Sequence, residues 1–226
     1  MPDSTLHLTA AATAIASVTG SAHAGGLAGV GCFLGVAMVA VVCQVPFVKV
    51  IGRTVGFVDR CVLLVALGFG SGRLHPAPGT WGSIVGVVWL LALASSMSMW
   101  VFGIGCALGI LASIWHCGRA ERILGTHDPS CVVIDEIAAM PLAWIGVLWM
   151  DIHWHRAPVS PMDAAFWHRW PELILAFVAF RVFDIWKPGW VGKSQRLHGG
   201  LGVTADDVLA GFLAAIPVGL LYWLRH

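Results

Sequence analysis

The chain has 226 residues, 58% of them hydrophobic and 11% charged, with a mean hydropathy of +0.83. Soluble domains carry about a quarter charged residues, so this composition excludes an ordinary water-soluble globule and describes an integral membrane protein. The formal net charge of +1 leaves no basic footprint for nucleic acid.

Twelve Trp stand against a single Tyr, and Trp favours the membrane–water interface. Cys32, Cys43, Cys61, Cys106, Cys117 and Cys131 form no C-x-x-C pair, and several sit in apolar runs. They are expected to be small buried hydrophobes. The ten His form no H-E-x-x-H, and His153 and His155 flank Trp154 in an expected loop. Zinc is therefore not expected.

In chain order, residues 1–26 are rich in Ala, Thr, Ser and Gly and carry no Lys or Arg. A secretory signal needs a basic stretch ahead of its apolar one, so a poorly ordered tail is expected. Residues 27–48 are apolar and long enough to cross a bilayer at 1.5 Å per residue. A chain-entry span is expected there. Further apolar segments lie at 83–97, 100–116, 137–150, 172–186 and 207–223. Most fall short of the ~20 residues of a full span, so they tilt little, enter partway or borrow helix from polar flanks. Pro141 and Pro217 should kink two of them. The expected fold is all-α: a compact helical membrane protein with several short transmembrane or partly inserted helices.

If each segment crosses once, stretches 49–82, 117–136 and 187–206 share a face. That face collects Lys49, Arg53, Arg60, Arg73, Arg119, Arg122, Lys187, Lys193 and Arg196. The other keeps Arg156, Arg169 and Arg225. The positive-inside rule makes the first face cytoplasmic.

Three polar constellations fall on that face. "GFGSGRLHPAPGTWGS" (68–83) is punctuated by Gly and Pro and should be a loop before a helix. Ser71, Thr80 and Ser83 offer hydroxyls, and Gly70, Gly72 and Gly79 admit a ligand to the backbone. Amides at the following helix start suit a phosphate, although Thr80 or Ser83 serves equally as an N-cap. "THDPSCVVIDEIAAMPLAW" (126–144) opens on Asp128-Pro129, which has the form of an N-cap and first helical residue. Asp135 and Glu136 follow where the chain turns apolar, and carboxylates there need a partner or a function.

The third is "FRVFDIWKPGWVGKSQRLHGGLGVTADDVLAGFLAA" (180–215). Arg181, Asp184 and Lys187 follow at three-residue steps, as a site or as an intrahelical ion-pair ladder ended by Pro188. Gly199 and Gly200 precede Thr204 to Asp207, which resembles a capping box with Asp in place of Glu. That explains Asp207 but not Asp206. Carboxylates from three segments, flanked by Arg and Lys, repel one another unless a cation sits among them. Oxygen ligands of this kind suit Mg²⁺, and the whole set suits metal-assisted phosphoryl chemistry on a lipid headgroup.

The stretches "GFGSGRLHPAPGTWGS", "HDPSCVVIDEIAAMPLAW", "FRVFDIWKP" and "HGGLGVTADDVLAG" resemble the phosphatidylglycerophosphatase A family, in its order and at similar spacing, over about residues 61–224. The resemblance implies that residues 61–226 form the catalytic domain of a multi-pass enzyme of the bacterial inner membrane, facing the cytoplasm, and leaves residues 1–60 as an N-terminal extension with the extra span expected at 27–48. It further implies Mg²⁺-dependent hydrolysis of phosphatidylglycerophosphate to phosphatidylglycerol and phosphate, in phosphatidylglycerol and cardiolipin synthesis. The family's acidic motif residues fall on Asp135, Glu136, Asp184, Asp206 and Asp207, expected as metal ligands with one of them a candidate general base, and its basic one on Lys187. Ser71, Gly72, Thr80, Arg181, Lys187, Gly199 and Gly200 are the expected phosphate contacts. The chain departs from the family pattern at Ala138 and Ala139, and at Arg73 and His75.

Motifs of rival enzymes are absent from the sequence: the D-x-D-x-T of haloacid-dehalogenase phosphatases, the Ser-Gly-His set of vanadium-peroxidase-like lipid phosphatases, and the D-G-x-x-A-R of lipid alcohol phosphotransferases. An ion transporter is the rival of another class. It would place carboxylates near mid-span, whereas here they are expected at segment ends beside Gly-rich loops.

Overall fold

A computed structural model describes residues 56–154, 156–157, 159–160, 162–187 and 199–225. The expected span at 27–48 lies outside the described residues, as do Lys49, Arg53, Pro188, Lys193 and Arg196. Among the described residues the chain is all helical and has no strand. Seven α-helices follow in order: α1 Phe57–Ala66, α2 Pro78–Ala94, α3 Met99–Leu124, α4 Ile134–Ala139, α5 Ile145–His153, α6 Trp170–Trp186 and α7 Gly200–Arg225. Tight 3-10 turns occupy Gly68–Arg73, Met140–Trp144 and Ala164–Arg169.

Local chemistry sets the helix ends. Pro78 opens α2, where a missing N–H costs nothing. Ser98 caps α3 by accepting from the Val101 amide at 3.4 Å, and Gly125 ends it in the left-handed conformation at φ 69°. Pro141 breaks the expected 137–150 segment into α4, a 3-10 turn and α5. Pro217, by contrast, lies inside α7, which runs on to Arg225.

Two helices, α3 and α7, are long and apolar enough to cross a membrane. Each has 26 residues, or roughly 39 Å at the α-helical rise. Both outrun the apolar segments visible in the sequence because their polar flanks are helical too. α3 turns a continuous apolar stripe outward: Trp100, Ile104, Leu108, Leu111 and Trp115 are all exposed. α6 does the same with Ile174, Val178 and Val182. Large side chains in such rows would be a liability in water and are ordinary against lipid tails.

The interior is closed by backbone approach. A methyl group at Gly146 would stand 2.0 Å from the Ala215 carbonyl, and one at Gly200 2.0 Å from that of Ile114. Thus α7 lies tightly on α5 and α3, as small residues permit in membrane bundles. The main core gathers Trp144, Phe166, Phe180, Val218 and Tyr222, all fully buried. A smaller core joins α1, α3 and α7 through Leu63, Ala66, Cys117, Ala120 and Val203. Cys106 and Cys117 are free buried thiols, as expected of small hydrophobes, while Cys61 and Cys131 are half-buried.

Candidate active site

Three sequence readings are corrected by the local structure. Asp128 is not a helix N-cap: it is exposed, at φ 46°, and the next helix begins six residues later at Ile134. Its amide donates to Glu121 Oε1 at 3.0 Å. Thr204 to Asp207 is not a capping box, because α7 begins at Gly200 and all four residues are intrahelical. Thr204 is buried and pairs with Ser113 Oγ across to α3 at 2.9 Å. Neither Thr80 nor Ser83 caps α2; that position is Ala77, and Ser83 Oγ donates to the Gly79 carbonyl at 2.9 Å.

The acidic residues come from three helices. α4 supplies Asp135 and Glu136 in its first turn, and Asp135 Oδ1 accepts from the Glu136 amide at 3.1 Å. α6 supplies Arg181 and Asp184, and α7 supplies Asp206 and Asp207. Asp135, Asp184, Asp206 and Asp207 are all buried. The last two lie inside α7 rather than at its end, so their expected position beside a Gly-rich loop is only partly met.

Arg181 is the hub. Its Nη1 donates to Asp184 Oδ2 at 2.5 Å, Glu136 Oε1 at 3.4 Å and Ser83 Oγ at 3.5 Å. Lys187 does not extend an intrahelical ladder. It leaves α6 at φ 45° and turns its ammonium onto Asp206 Oδ2 of α7. One cation thereby joins α6 to α4 and α2, and the other joins α6 to α7.

The electrostatics follow from burial. Desolvation pushes Asp135 up to about 8, with nearby Asp128 and Asp206 adding to the rise against its own amide bonds. Glu136 is raised too, first by desolvation and then by Asp135 and Asp184, with Arg181 opposing. Burial by itself lowers Lys187, but the bond and charge of Asp206 outweigh it and hold the ammonium above its ordinary value. The centre is short of positive charge.

The glycines of the first motif do something the sequence did not disclose. Gly79, Gly82 and Gly86 lie along one face of α2. A methyl at Gly79 would meet Glu136 Oε1 at 2.1 Å, one at Gly82 would meet Glu136 Oε2 at 2.7 Å, and one at Gly86 would meet Met140 at 2.6 Å. The face receives α4 and the Glu136 carboxylate. Gly72 and Gly200 are likewise close-packed, against the Cys131 carbonyl and α3. Ser71 Oγ donates to the Gly68 carbonyl at 2.9 Å. The Thr80 amide donates to Ala77 at 3.0 Å, and Gly199 holds a turn at φ 70°. Arg73 and His75 are exposed.

Sequence reasoning missed a second polar cluster. Asp151 is fully buried; it takes a bidentate pair from Arg169 at 2.8 and 3.2 Å and a bond from Tyr222 Oη at 2.6 Å. Nearby, Arg225 grips buried Glu172 at 2.6 and 2.7 Å. The signal available was Asp151 and Glu172 standing in otherwise apolar helical stretches.

All-oxygen donors match a hard divalent cation. Glu136 Oε2 is buried without a hydrogen-bond partner, an acceptor left over for one. Among the described residues, however, no three acidic, His or Cys side chains form a ready-made ligand group.

This fold and centre define a helical protein of membrane type, with buried carboxylates arranged around an Arg and a Lys. The chain belongs to the phosphatidylglycerophosphatase A family, which matches residues 64–222. It is 35% identical to phosphatidylglycerophosphatase A of Haemophilus influenzae, over 71% of this chain and 89% of that protein. Phosphatidylglycerophosphatase A of Escherichia coli is 31% identical, over 72% and 83%. A Bacteroides thetaiotaomicron protein, provisionally named a phosphatidylinositol-3-phosphatase, is 34% identical over 72% and 94%. No solved structure matches the chain. The chain is thus a phosphatase, a phosphoric monoester hydrolase of the phospholipid-acting kind.

Proposed function

We propose that the chain hydrolyses phosphatidylglycerophosphate to phosphatidylglycerol and phosphate, with Mg²⁺ as cofactor. The observation that carries this reading is the buried Asp135, Asp184, Asp206 and Asp207 and the half-buried Glu136, held around Arg181 and Lys187 in a chain of this family. Arg181 and Lys187 bind the phosphate monoester and neutralise the charge that develops on it. Asp135, Glu136, Asp184, Asp206 and Asp207 are the residues that would hold the metal, and the orphaned Glu136 oxygen supports that assignment. Bound Mg²⁺ supplies a Lewis acid for the phosphate oxygens and a more acidic water. One of the carboxylates accepts the proton of the attacking group as the new P–O bond forms and the ester P–O bond breaks, and that proton passes to the departing oxygen, which leaves as the hydroxyl of phosphatidylglycerol. Ser71 and Gly72 in the first Gly-rich turn, Gly199 in the second, and Thr80 and Gly200 at the starts of α2 and α7 are assigned to the phosphate approach, the tightly packed Gly72 and Gly200 through their backbone alone.

The deciding experiment is phosphate release by the purified full chain from phosphatidylglycerophosphate, phosphatidic acid and phosphatidylinositol 3-phosphate. Preference for the first is expected. Release confined to phosphatidylinositol 3-phosphate would replace this substrate with the one in the Bacteroides protein's name.

The site faces the cytoplasm of a bacterial inner membrane in this reading, supported by the charge asymmetry of the sequence. A cysteine placed at His127 should label from the cytoplasmic side, and one at Met162 from the other; both positions are exposed. The reverse pattern would overturn the orientation.

A further inference from the structure

Between α3 and α5 lies an open apolar groove of about 380 Å³. Met99, Gly103, Ala107 and Ile110 of α3 form one wall, Leu142 and Trp149 the other, and Phe212 of α7 part of the lining. We infer that this groove seats one acyl chain of the lipid substrate while the phosphate is held at the carboxylate centre. The inference rests on the reading of that centre as a lipid phosphatase site.

Three observations carry it. The first is continuity with the site. Gly211 follows Asp207 by one turn on the same face of α7, and a methyl on Gly211 would touch Leu142 at 2.9 Å. Leu142 in turn lines the groove. The groove therefore starts about one helical turn from the acidic centre.

The second is length. From Ile110 to Met99 the α3 wall rises roughly 16 Å, about half the ~30 Å hydrocarbon core and so the reach of one lipid tail. The third is shape and chemistry. Small residues at 103 and 107, one turn apart, hollow out the α3 face, and a methyl placed on Gly103 would meet no atom of another helix within 4 Å. No charged side chain lines the groove. A single saturated or unsaturated tail meets those demands.

In a bilayer the tail gains only packing by entering, because lipid is already apolar. The groove thus positions the headgroup by tethering its tail, and it acts on KM rather than on the chemical step.

The test uses the full chain and its Gly103→Leu and Ala107→Leu variants. Dioleoyl phosphatidylglycerophosphate is compared with the tail-free headgroup, glycerophosphoglycerol phosphate. KM for the dioleoyl lipid should rise about three- to tenfold, while kcat/KM for the headgroup stays unchanged. Equal losses on both substrates, or none on either, would overturn the groove. A native chain inactive on both would instead defeat the underlying phosphatase reading. A second readout needs no turnover: phosphatidylglycerol carrying a diazirine in its tail should label groove peptides above the lipid-facing α6 stripe of Ile174, Val178 and Val182. Labelling of α6 with none in the groove would mean that residues of the N-terminal extension or a second copy cover it, and would refute the proposal.

Discussion

Gly79 lies directly under the Glu136 carboxylate, so close that a methyl group there would stand 2.1 Å from Oε1 and 3.0 Å from Arg181 Nη1. The hydrogen of glycine is what lets α2 support both members of the ion pair. Gly79→Ala should push the carboxylate and guanidinium aside by roughly an ångström and lower turnover about ten- to hundredfold. Stability should change little, because Glu136 is the far end of a flexible chain. Gly82→Ala also meets Val133 Cβ at 2.7 Å, and should cost about 1–3 kcal/mol of stability. Gly103→Ala, which meets no neighbouring helix, should leave stability unchanged or slightly improved. Thermal unfolding in detergent beside phosphate release separates the three outcomes. Wild-type turnover in Gly79→Ala would show that the Glu136 position is immaterial.

The carboxylates should matter more to turnover than to folding. Asp135→Asn, Asp184→Asn and Asp206→Asn keep shape and remove charge. Each should lower turnover about 10²-fold or more, near 2.7 kcal/mol of transition-state stabilisation. Lys187→Ala should be similarly harmful, with Lys187→Arg a partial rescue. Because Lys187 and Asp206 are directly paired, the double variant should lose less than the two single losses combined. Additive losses, or folded Asn variants with near-normal turnover, would make these residues independent or structural.

Much of this centre was legible in the sequence. Buried carboxylates are costly in apolar surroundings, so Asp135, Asp184 and Asp206 stood out wherever the helices began and ended. What the sequence could not disclose was who faces whom. Asp128-Pro129 and Thr204-x-x-Asp207 have the local pattern of helix starts, but tertiary packing decided otherwise. α7 begins at Gly200, and Gly200 fits onto the α3 backbone, where a larger residue would strike Ile114. The glycines of the first motif looked like room for a ligand, and the room is filled by α4. Asp151 and Glu172 stayed hidden because their partners, Tyr222, Arg169 and Arg225, lie up to 71 residues away.

Metal removal should abolish phosphate release, and Mg²⁺ should restore it. Binding to the folded state alone also raises thermal stability in proportion to the logarithm of free metal. The full chain should therefore melt higher with Mg²⁺ than with chelator, and Glu136→Gln should reduce that rise. Undiminished phosphate release in chelator would remove the cofactor from the mechanism, leaving Arg181 and Lys187 as its cations.

The cluster at the other end of α7 should behave in the opposite way to the site. Tyr222 lies 15 residues beyond Asp207, roughly 22 Å along the helix, too far to touch a phosphate held at the carboxylates. Asp151 receives α7 through Tyr222 and the 3-10 turn through Arg169, while Arg225 ties α7 to Glu172 of α6. Asp151→Asn leaves the buried Arg169 charge without its counter-ion. Breaking such a pair commonly costs about 3–5 kcal/mol, because the surviving charge remains out of water. Tyr222→Phe removes the bond to Asp151 and the contact with Arg156 but leaves the Asp151–Arg169 ion pair intact, so it should cost about 1–3 kcal/mol. Turnover per folded molecule should stay near wild type in both. The check is denaturation in detergent, followed by phosphate release normalised to folded protein. A drop in normalised turnover matching that of Asp206→Asn, in a variant that melts normally, would show that this cluster governs the chemistry rather than the assembly of α5, α6 and α7.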